Sequence, residues 1–478
     1  MSSPVVWIIF PLTAGLLAFF FRRWEKAVTI SAIAITIGLA WFAWQDPIGD
    51  LFRLGNLSLT LDERLTVLGR RLELQTADTS ILVLIYLGAA FWFGGSIVAK
   101  TRRIFVAVGL AVAALLTAAI AVEPFLYAAL LIELAIFFCI GLLVEPGKAI
   151  LPGVLRFLTL QTLGLPFILF AGWLLAGVES SPEDSELVLQ ASLMLAFGFS
   201  FLLAIFPFHT WIPMLAEEAH PYTVAFVCYL LSTVIIFFGL NFLDRYNWLR
   251  NQPDVSQLIR FAGLLMVVAG GFFAAFQNHL GRIMGFAVIL EIGITLLAVG
   301  AVINPAGSDQ NLGIMFIQIL PRGVELGLWS LALVTISGYG RDLAGGADRL
   351  RFRNIQGLGR QLPVASLCLV IAQMSLVGFP LLAGFPAHRA LWLGLASESP
   401  ILALTAMLGY GGMLLASLRT MAVLVMGPAE TGWQISETWS QTILLVIGGI
   451  ALILIGIFPH WFLPLMSRMA ELFPNLGS

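Results

Sequence analysis

The sequence predicts an all-α membrane protein that crosses the bilayer many times. Hydrophobic residues make up 59% of the 478 residues and charged residues make up 11%, and the mean hydropathy is +0.96. A chain of this size cannot bury so much apolar surface inside one water-soluble core. The apolar residues also fall into roughly 14 runs, each close to the length of about 20 residues that a helix needs to span a membrane.

The apolar runs follow one another with short polar or proline-containing turns between them, which is typical of a bundle of spanning helices. Taken in order, they cover roughly 4–21, 27–45, 78–99, 104–122, 125–144, 152–177, 187–206, 222–243, 257–276, 282–303, 312–337, 363–397, 400–426 and 441–463. The first run has no basic residues before it, so we interpret it as an anchor and not as a cleaved signal peptide.

The longest mixed-charge stretch runs from Asp46 to Ala77. Within it, Leu57 to Leu61 alternates apolar and polar residues, and Arg71 to Gln75 does the same. A period of two is typical of β-strands. We therefore predict one short surface hairpin here and no strand elsewhere.

The basic residues predict the orientation of the chain. Most of them collect in alternate loops, and the positive-inside rule makes those loops cytoplasmic, which places both termini on the outer side. We expect the chain to be a multi-pass protein of the cell inner (plasma) membrane. The basic residues on the predicted cytoplasmic side are Arg22, Arg23, Lys26, Lys100, Arg102, Arg103, Lys148, Arg282, Arg341, Arg349, Arg351, Arg353 and Arg360.

Several classes of function are excluded. The net charge of -2 gives no basic surface for nucleic acid. Cys139, Cys228 and Cys368 each stand alone in an apolar run, so their spacing fits neither a disulfide framework nor a zinc or iron–sulfur site. The sequence has no hydrolase, P-loop or dinucleotide-binding motif. We expect no metal, no cofactor and no catalytic site in this chain, so that any redox chemistry would come from partner subunits.

A polar segment interrupts the apolar sequence near its middle. It begins Phe206-Pro207-Phe208-His209-Thr210-Trp211-Ile212-Pro213 and continues through Glu217, Glu218 and His220. Polar residues and prolines at membrane depth mark a functional group or a broken helix. We interpret the last three of these residues as a solvated loop at the cytoplasmic mouth.

This segment carries a resemblance to a known family. It is similar to the P-F-H-x-W-L-P motif of the antiporter-like proton-channel subunits that respiratory complex I, membrane-bound hydrogenases and multisubunit cation/proton antiporters share. Four other stretches resemble family motifs in the same order along the chain. These are Leu131 to Leu134 around Glu133, Leu280 to Gly293, Ser375 to Phe385, and Leu418-Arg419 followed by Gly427-Pro428.

The resemblance implies two inverted five-helix repeats, each with a broken helix near the middle of the membrane. Pro207, Trp211 and Pro213 would belong to the first break, and Pro380 and Gly384 to the second. It also implies four parts of the chain. These are N-terminal helices with the hairpin at 1–103, the first repeat at 104–303, the second repeat at 304–426 and a C-terminal helix at 427–478.

The ionisable residues depart from the family pattern. No lysine follows Lys148, so the family's lysine is missing from the run 223–242, where the polar residues are Ser232, Thr233 and Asn241. Glu291 occupies a position where the family usually has histidine, and His388 occupies a position where the family has lysine. The proton path that the resemblance implies for this chain consists of Glu133, His209, Glu291, Arg322, Glu325 and His388.

Each of these residues also has a structural interpretation. A lone carboxylate at the position of Glu133 costs about 2.5–3.5 kcal/mol in a membrane, so it either relays protons or takes part in a structural hydrogen bond. Arg322 and Glu325 are three residues apart, which fits an ion pair on one helix face. His209 is either a proton carrier or part of a fixed turn. Arg419, near a helix end, is expected to snorkel to the interface.

The leading hypothesis is a membrane subunit that moves protons or other cations within a complex of the NADH-quinone oxidoreductase type. A degenerate structural or docking subunit of such a complex is the first alternative, since the paired lysine is lost. The second is the membrane half of an inorganic-carbon uptake pair with a carbonic-anhydrase-like partner. The expected partners are other integral membrane subunits, lipid and peripheral redox subunits, with no nucleic acid.

Overall fold

The computed structural model of the protein describes residues 2–45, 48–49, 52–54, 57–59, 61–67, 69–145, 147, 149–180, 185–303, 311–339, 349–427 and 435–476. Four residues named in the predictions above, Asp46, Lys148, Arg341 and Pro428, lie outside these ranges.

Helices make up most of the described chain. The first ten are α1 (Phe10–Phe20), preceded by a π-helical turn at Val5–Ile9, α2 (Glu25–Trp44), α3 (Thr79–Ala99), α4 (Phe105–Ala121), α5 (Ala128–Leu143), α6 (Pro152–Ser180), α7 (Ser185–Leu202), α8 (Trp211–Glu218), α9 (Pro221–Arg245) and α10 (Asn247–Arg250). The next ten are α11 (Pro253–Phe276), α12 (Leu280–Val302), α13 (Asn311–Ile317), α14 (Ile319–Ser337), α15 (Phe352–Ile355), α16 (Pro363–Val377), α17 (Phe385–Glu398), α18 (Pro400–Val425), α19 (Trp439–Ile457) and α20 (Leu463–Arg468). Short 3₁₀ turns occupy Thr76–Asp78, Phe125–Tyr127, Phe208–Thr210, Leu358–Arg360, Pro459–Trp461 and Met469–Leu472.

The protein is a polytopic all-helical membrane chain. Within the described ranges, 10 helices are long and apolar enough to cross a membrane, and the bent pair Phe352–Arg360 and Pro363–Val377 brings the number to 11. Three further apolar helices, at Val5–Phe20, Phe105–Ala121 and Glu186–Leu202, are shorter. Each predicted run coincides with helix, but the run 312–337 is divided between α13 and α14, and the run 363–397 between α16 and α17. The predicted count of 14 spans and the inverted repeats stay predictions.

Two helices form the centre of the bundle. In the apolar stretch of α12, 100% of the residues are buried inside the protein, and in that of α9 94% are buried. The corresponding shares for α2 and α19 are 33% and 28%. Apolar composition alone does not place α9 and α12 there, because α19 is as apolar as these two helices and is mostly not buried. Polar side chains in the middle of the two central helices, such as Ser232 and Glu291, lie inside the bundle.

The predicted strands are present, as two hairpins rather than one. β1 (Phe52–Leu54) pairs with β2 (Leu57–Leu59), and β3 (Arg64–Val67) pairs with β4 (Arg70–Glu73), both antiparallel. β4 also pairs with β5 (Val122–Glu123), a strand between α4 and α5 that the sequence did not predict. Two residues are too few for an alternating pattern, so only the partner strand defines this element.

Glycines allow α11 and α18 to cross in backbone contact. A Cβ atom on Gly271 would lie 1.7 Å from the carbonyl oxygen of Gly409, and one on Gly412 would lie 2.4 Å from the carbonyl oxygen of Gly271. Any larger residue at these three positions would push the helices apart. Small residues at a helix crossing allow such a close approach of the backbones.

The turn between α11 and α12 is joined to two other parts of the chain. The backbone N–H of Leu280 donates to the carbonyl of Leu350 (3.0 Å), and that of Phe352 donates to the carbonyl of Asn278 (2.9 Å). Arg419 on α18 donates to Asn278 Oδ1 (2.6 Å), and its guanidinium lies 5.4 Å from the ring centre of Phe352. Arg419 therefore binds this turn, and its position at the membrane interface stays a prediction.

Candidate functional site

A cluster of charged and polar side chains lies buried in the second half of the chain. It consists of Glu291 on α12, Gln318 between α13 and α14, Arg322 and Glu325 on α14, and His388 on α17, and we call it the central cluster. The exposed fraction of these side chains ranges from 0% for Glu291 to 6% for Gln318. Ionisable groups inside a membrane protein are costly, so they mark functional positions when they occur together.

The sequence of α14 explains where this cluster begins. Pro321 has no backbone N–H, and its ring would clash with the carbonyl of Ile317 in a continuous helix. The helix accordingly starts again at Ile319, so that the proline lies in its first turn, where it is tolerated. The interruption places the Gln318 side chain at the junction of two helices, and Arg322 follows in the next turn.

Glu291, Gln318 and His388 form a three-way contact. Gln318 Nε2 donates a hydrogen bond to Glu291 Oε2 (2.7 Å) and lies 3.4 Å from His388 Nε2. His388 Nε2 is 3.8 Å from Glu291 Oε1. The amide therefore joins a carboxylate on α12 to an imidazole on α17.

The two charged residues of α14, Arg322 and Glu325, contact different helices. Arg322 donates to Thr295 Oγ1 on α12 (3.3 Å) and to the Ser232 hydroxyl on α9. Glu325 Oε1 accepts a hydrogen bond from Ser375 Oγ on α16 (2.6 Å). Among the described residues these two side chains make no ion pair with each other, so the structural pair favoured by their spacing is not formed. Each one instead joins α14 to a neighbouring helix.

The break between α16 and α17 shapes the other side of the cluster. Gly378 has a φ of +81° and ends α16 in a left-handed conformation, and Pro380 follows two residues later; both are common at helix ends. Ser375 Oγ also accepts from the backbone N–H of Gly384 (3.2 Å). The hydroxyl thus connects the broken ends to Glu325.

Gly384 brings the cluster close to the backbone at this break. A Cβ atom there would lie 2.2 Å from the Ser375 carbonyl oxygen, 3.0 Å from Glu325 Oε1 and 3.1 Å from His388 Nδ1. The Glu325 carboxylate and the His388 imidazole therefore both lie close to the backbone at Gly384. Pro380 and Gly384, both assigned to the second break from the sequence, lie between the two helices.

Glu133 occupies a separate polar site in the first half. Its side chain on α5 is 6% exposed, and Oε1 accepts a hydrogen bond from Thr162 Oγ1 on α6 (2.6 Å). This bond pairs the Thr162 hydroxyl with one oxygen of the carboxylate. The sequence did not identify Thr162, because a threonine in an apolar helix usually bonds to its own backbone.

His209 lies in the first break, in the 3₁₀ turn between α7 and α8. Its ring stacks on Phe206 with the ring centres 5.0 Å apart, and its Nδ1 atom is buried without a hydrogen-bond partner. Pro207 precedes this turn, while Trp211 and Pro213 lie in α8. The predicted break is therefore present, with the histidine held between aromatic side chains.

The structure brings together four of the six residues predicted for the proton path. Glu291, Arg322, Glu325 and His388 belong to the central cluster, whereas no hydrogen bond or ion pair among the described residues joins Glu133 or His209 to it. Sequence analysis missed Gln318 and Ser375. Both are polar residues in apolar runs, four residues before Arg322 and three before Gly378, so their spacing to the other predicted positions was the available indication.

The acidic residues after the first break are not a free loop. Glu217 forms an ion pair with Arg282 (2.8 Å), and Glu218 Oε2 accepts from the backbone N–H of Gly153 at the start of α6 (2.7 Å). These carboxylates are half-buried and hold α8 to α6 and α12. The solvated loop predicted here is therefore wrong for these two residues.

Metal chemistry has no support in the described residues. They contain no group of three or more His, Cys, Asp or Glu side chains that could hold a metal ion. Cys139, Cys228 and Cys368 are free and buried. The central cluster consists of hydrogen-bonding and ionisable groups, and its carboxyl and imidazole groups are able to bind and release protons.

Residues 172–413 match the transmembrane part of the NADH:quinone oxidoreductase/Mrp antiporter family. The chain belongs to this family. The match includes the first break, the second break and every member of the central cluster. It ends before Arg419.

Relatives within the NADH:quinone oxidoreductase/Mrp antiporter family are distant. NADH-quinone oxidoreductase subunit N of Psychrobacter arcticus is 26% identical over 290 residues, which cover 60% of this chain and 56% of the relative. Chain 4-2 of NAD(P)H-quinone oxidoreductase from Synechocystis is 27% identical, with 52% and 42% covered. Subunit N 2 of Acidobacterium capsulatum is 25% identical over 85% of this chain and 87% of the relative. The first two matches thus span about half of each relative's length.

Solved structures share the fold at low sequence identity. A chain of the Mrp complex from a Dietzia species superposes with a TM-score of 0.78 at 15% identity, covering 99% of this chain and 98% of that one. A chain of respiratory complex I from Thermus thermophilus has a TM-score of 0.75 at 19% identity, with 97% and 99% covered. The family fold therefore extends over nearly the whole chain, beyond the part matched in sequence.

Proposed function

We propose that this chain is a proton-conducting subunit of a larger membrane complex. The observation that carries the proposal is the central cluster, in which two carboxylates, an imidazole and a guanidinium are 4% exposed or less at a broken helix. Carboxylates and imidazoles take up and release protons readily, and a membrane interior tolerates them only where their partners are fixed. Membership in the NADH:quinone oxidoreductase/Mrp antiporter family supports the same function.

The members of the cluster take different roles in this proposal. Glu291, Glu325 and His388 carry the proton, and the Gln318 amide keeps Glu291 and His388 within reach of each other. Ser375 links Glu325 to the broken backbone. Arginine does not release its proton in proteins, so Arg322 supplies a fixed positive charge between α9, α12 and α14.

Glu133 and His209 serve the first half of the path in the proposal. Glu133 is the carboxylate of the first repeat, held by Thr162, and His209 lies at the first break. We assign them to separate steps, because neither touches the central cluster among the described residues. The proposal includes 14 spans, two inverted repeats at 104–303 and 304–426, and both termini on the outer side of the plasma membrane.

The proposed partners are other integral membrane subunits, as in the complexes that contain chains of this fold. A peripheral redox subunit of such a complex would supply the driving reaction. A second candidate function is a structural subunit that does not conduct. It is favoured by α9, which carries no Asp, Glu, Lys, Arg or His between Thr223 and Phe242.

The test is proton flux into proteoliposomes that contain the purified parent complex. Wild type is compared with Glu133→Gln and Glu291→Gln, which remove the titratable oxygen and keep the size of the side chain. Glu471→Gln, an exposed carboxylate near the C-terminus, is the matched control. Native gels report the assembly of each variant.

We expect flux to fall by roughly tenfold or more in the two buried variants and to stay unchanged in the control, with normal assembly in all three. Unchanged flux in both buried variants contradicts conduction through this chain and favours the structural subunit. Loss of both assembly and flux would also favour the structural subunit, because the carboxylates would then be needed to stabilise the fold.

A further inference from the structure

An apolar groove runs between α7 and α11, with α9 as its floor. Its volume is about 600 Å³. Leu258 and Phe261 on α11 form part of its rim and are 54% and 64% exposed, so the groove opens on the outer surface of the bundle. In a polytopic membrane protein such a surface contacts lipid or a neighbouring membrane subunit.

The wall of the groove formed by α7 contains two serines, and neither presents a free hydroxyl group to the groove. Ser192 Oγ donates to the carbonyl of Val188 (2.9 Å), and Ser200 Oγ donates to the carbonyl of Ala196 (2.6 Å). Both hydroxyls thus bond to their own helix. The remaining groove residues of α7 are leucine, alanine and phenylalanine.

The groove has one polar end and one apolar end. Gln252 and Asp254 lie at the polar end, where α11 begins, and Leu265 is the deepest groove residue on that helix. Eleven residues of α-helix separate Asp254 from Leu265, a rise of about 16 Å. The hydrocarbon core of a bilayer is about 30 Å thick, so the groove has the depth of one leaflet, about 15 Å.

The depth and lining of the groove suit a lipid chain. An acyl chain of a phospholipid extends over one leaflet of the hydrocarbon core, about 15 Å, and the groove has this depth and a mostly apolar lining. The groove therefore fits the tail of a lipid.

The charge at the polar end indicates the headgroup. Asp254 is exposed and lines the groove. Arg250, the nearest basic residue in sequence, donates to the carbonyls of Leu243 (3.1 Å) and Asp244 (2.9 Å) and is thereby engaged by the end of α9. A carboxylate at the mouth favours an ammonium group over an anionic one.

We propose that the groove binds one phospholipid, with an acyl chain between α7 and α11 and an ethanolamine headgroup at Asp254. The proposal is independent of proton conduction. The deep end of the groove is lined by Phe206, Pro207 and Phe208 of the first break. An acyl chain there covers Phe206, which is 41% exposed, and supports the aromatic ring on which His209 stacks.

The test is native mass spectrometry of the purified full-length protein, in its complex, titrated with phosphatidylethanolamine or phosphatidylglycerol. Ala262→Phe on α11 fills the groove from one wall, and Ala196→Phe on α7 fills it from the other. Leu404→Phe is the control, because Leu404 is 63% exposed on α18, outside the groove. Asp254→Asn tests the headgroup, and thermal unfolding of each variant checks the fold.

We expect wild type and Leu404→Phe to retain one phosphatidylethanolamine, and a folded Ala262→Phe or Ala196→Phe to bind it roughly tenfold more weakly, about 1.4 kcal/mol. Asp254→Asn should lose the preference for ethanolamine over glycerol headgroups and keep binding. Wild-type affinity in both groove-filling variants overturns the site. Equal weakening in Leu404→Phe also overturns it. A wild-type preference for phosphatidylglycerol overturns the headgroup assignment.

Discussion

Arg322 on α14 donates a hydrogen bond to the hydroxyl of Ser232 on α9. The helix α9 has no charged side chain between Thr223 and Phe242. The positive charge beside it comes instead from Arg322, 90 residues after Ser232. A guanidinium is always protonated in proteins, and its planar group can hold several acceptors at once. The positive charge therefore stays fixed at the contact of α9, α12 and α14.

Two substitutions of Arg322 should distinguish the effect of its charge on proton flux from the effect of its shape. We expect Arg322→Gln to reduce proton flux by roughly tenfold or more, because the fixed charge near Glu291 is lost. Arg322→Lys should retain more flux than the glutamine variant, since it keeps the charge but not the fork of donors. Flux in proteoliposomes and native gels of the complex measure the two effects.

Ser232→Ala is the matched control for Arg322, because it removes one acceptor and leaves the cation. We expect its flux to stay within about twofold of wild type, because the guanidinium charge is retained and Arg322 still donates to Thr295 Oγ1. Equal flux in wild type and Arg322→Gln would contradict a role for the fixed charge.

Gly384→Ala should destabilise the second break. The added Cβ would lie 2.2 Å from the Ser375 carbonyl oxygen and 3.0 Å from Glu325 Oε1, so the backbone has to move. We expect the free energy of unfolding to fall by about 2 kcal/mol, seen as a lower Tm in detergent. Gly394→Ala lies on α17, ten residues after Gly384, where an added Cβ has no atom within 4 Å, and it should leave Tm unchanged or higher. An equal Tm for the two variants would count against the tight packing at Gly384.

Glu73 should make the β3–β4 hairpin sensitive to pH. The hydrogen bond from Arg64 holds the pKa of Glu73 below its ordinary value, so ionised Glu73 stabilises the hairpin above pH 4.5, and this is lost as pH falls through the folded pKa. Glu73→Gln should therefore speed amide exchange of residues 64–73 at neutral pH. The difference from wild type at the same pH should vanish well below pH 4.5.

Hydrogen–deuterium exchange with mass spectrometry measures this effect at each pH. Glu63→Gln is the local control, because its carboxylate makes no ion pair with Arg64 within the described chain. We expect it to change exchange less than Glu73→Gln. A pH-independent difference for Glu73→Gln would mean that side-chain shape, and not the carboxylate charge, stabilises the hairpin.

Arg260 and Glu398 should hold α17 against α11. The two side chains form a bidentate ion pair and are 15% and 34% exposed, so solvent screens part of the attraction. We expect a coupling energy of about 1 kcal/mol from the double-mutant cycle of Arg260→Gln and Glu398→Gln. Thermal unfolding of the four proteins measures it, and additive effects of the two substitutions would exclude coupling.

Local sequence was sufficient for the helices and for both breaks. Apolar runs of membrane length predict helices because the bilayer leaves the backbone few other ways to satisfy its hydrogen bonds. Pro207 and Pro213 interrupt one run, and Gly378 and Pro380 another, through restrictions that act within a few residues. The clustering of Glu291, Glu325 and His388 was also expected, from motifs that resemble the family.

The partners of these residues could not be predicted, because they come from distant parts of the chain. Gln318 reaches Glu291 and His388 across 27 and 70 residues, and no local pattern encodes such a contact. The spacing of Arg322 and Glu325 favoured an ion pair, but hydroxyl groups on other helices compete for both. The groove beside α7 depends on how three helices are arranged, which composition does not determine.

The contacts at the α11–α12 turn affect how the bundle can move. Arg419 ties α18 to this turn through Asn278, and the glycine crossing holds α11 and α18 in backbone contact at Gly271 and Gly409. A tilt of α12 would carry both other helices with it, as one rigid body. Any hinge that lets the central cluster change its exposure therefore has to lie outside that body, and the unwound residues 378–384 offer the backbone freedom for it.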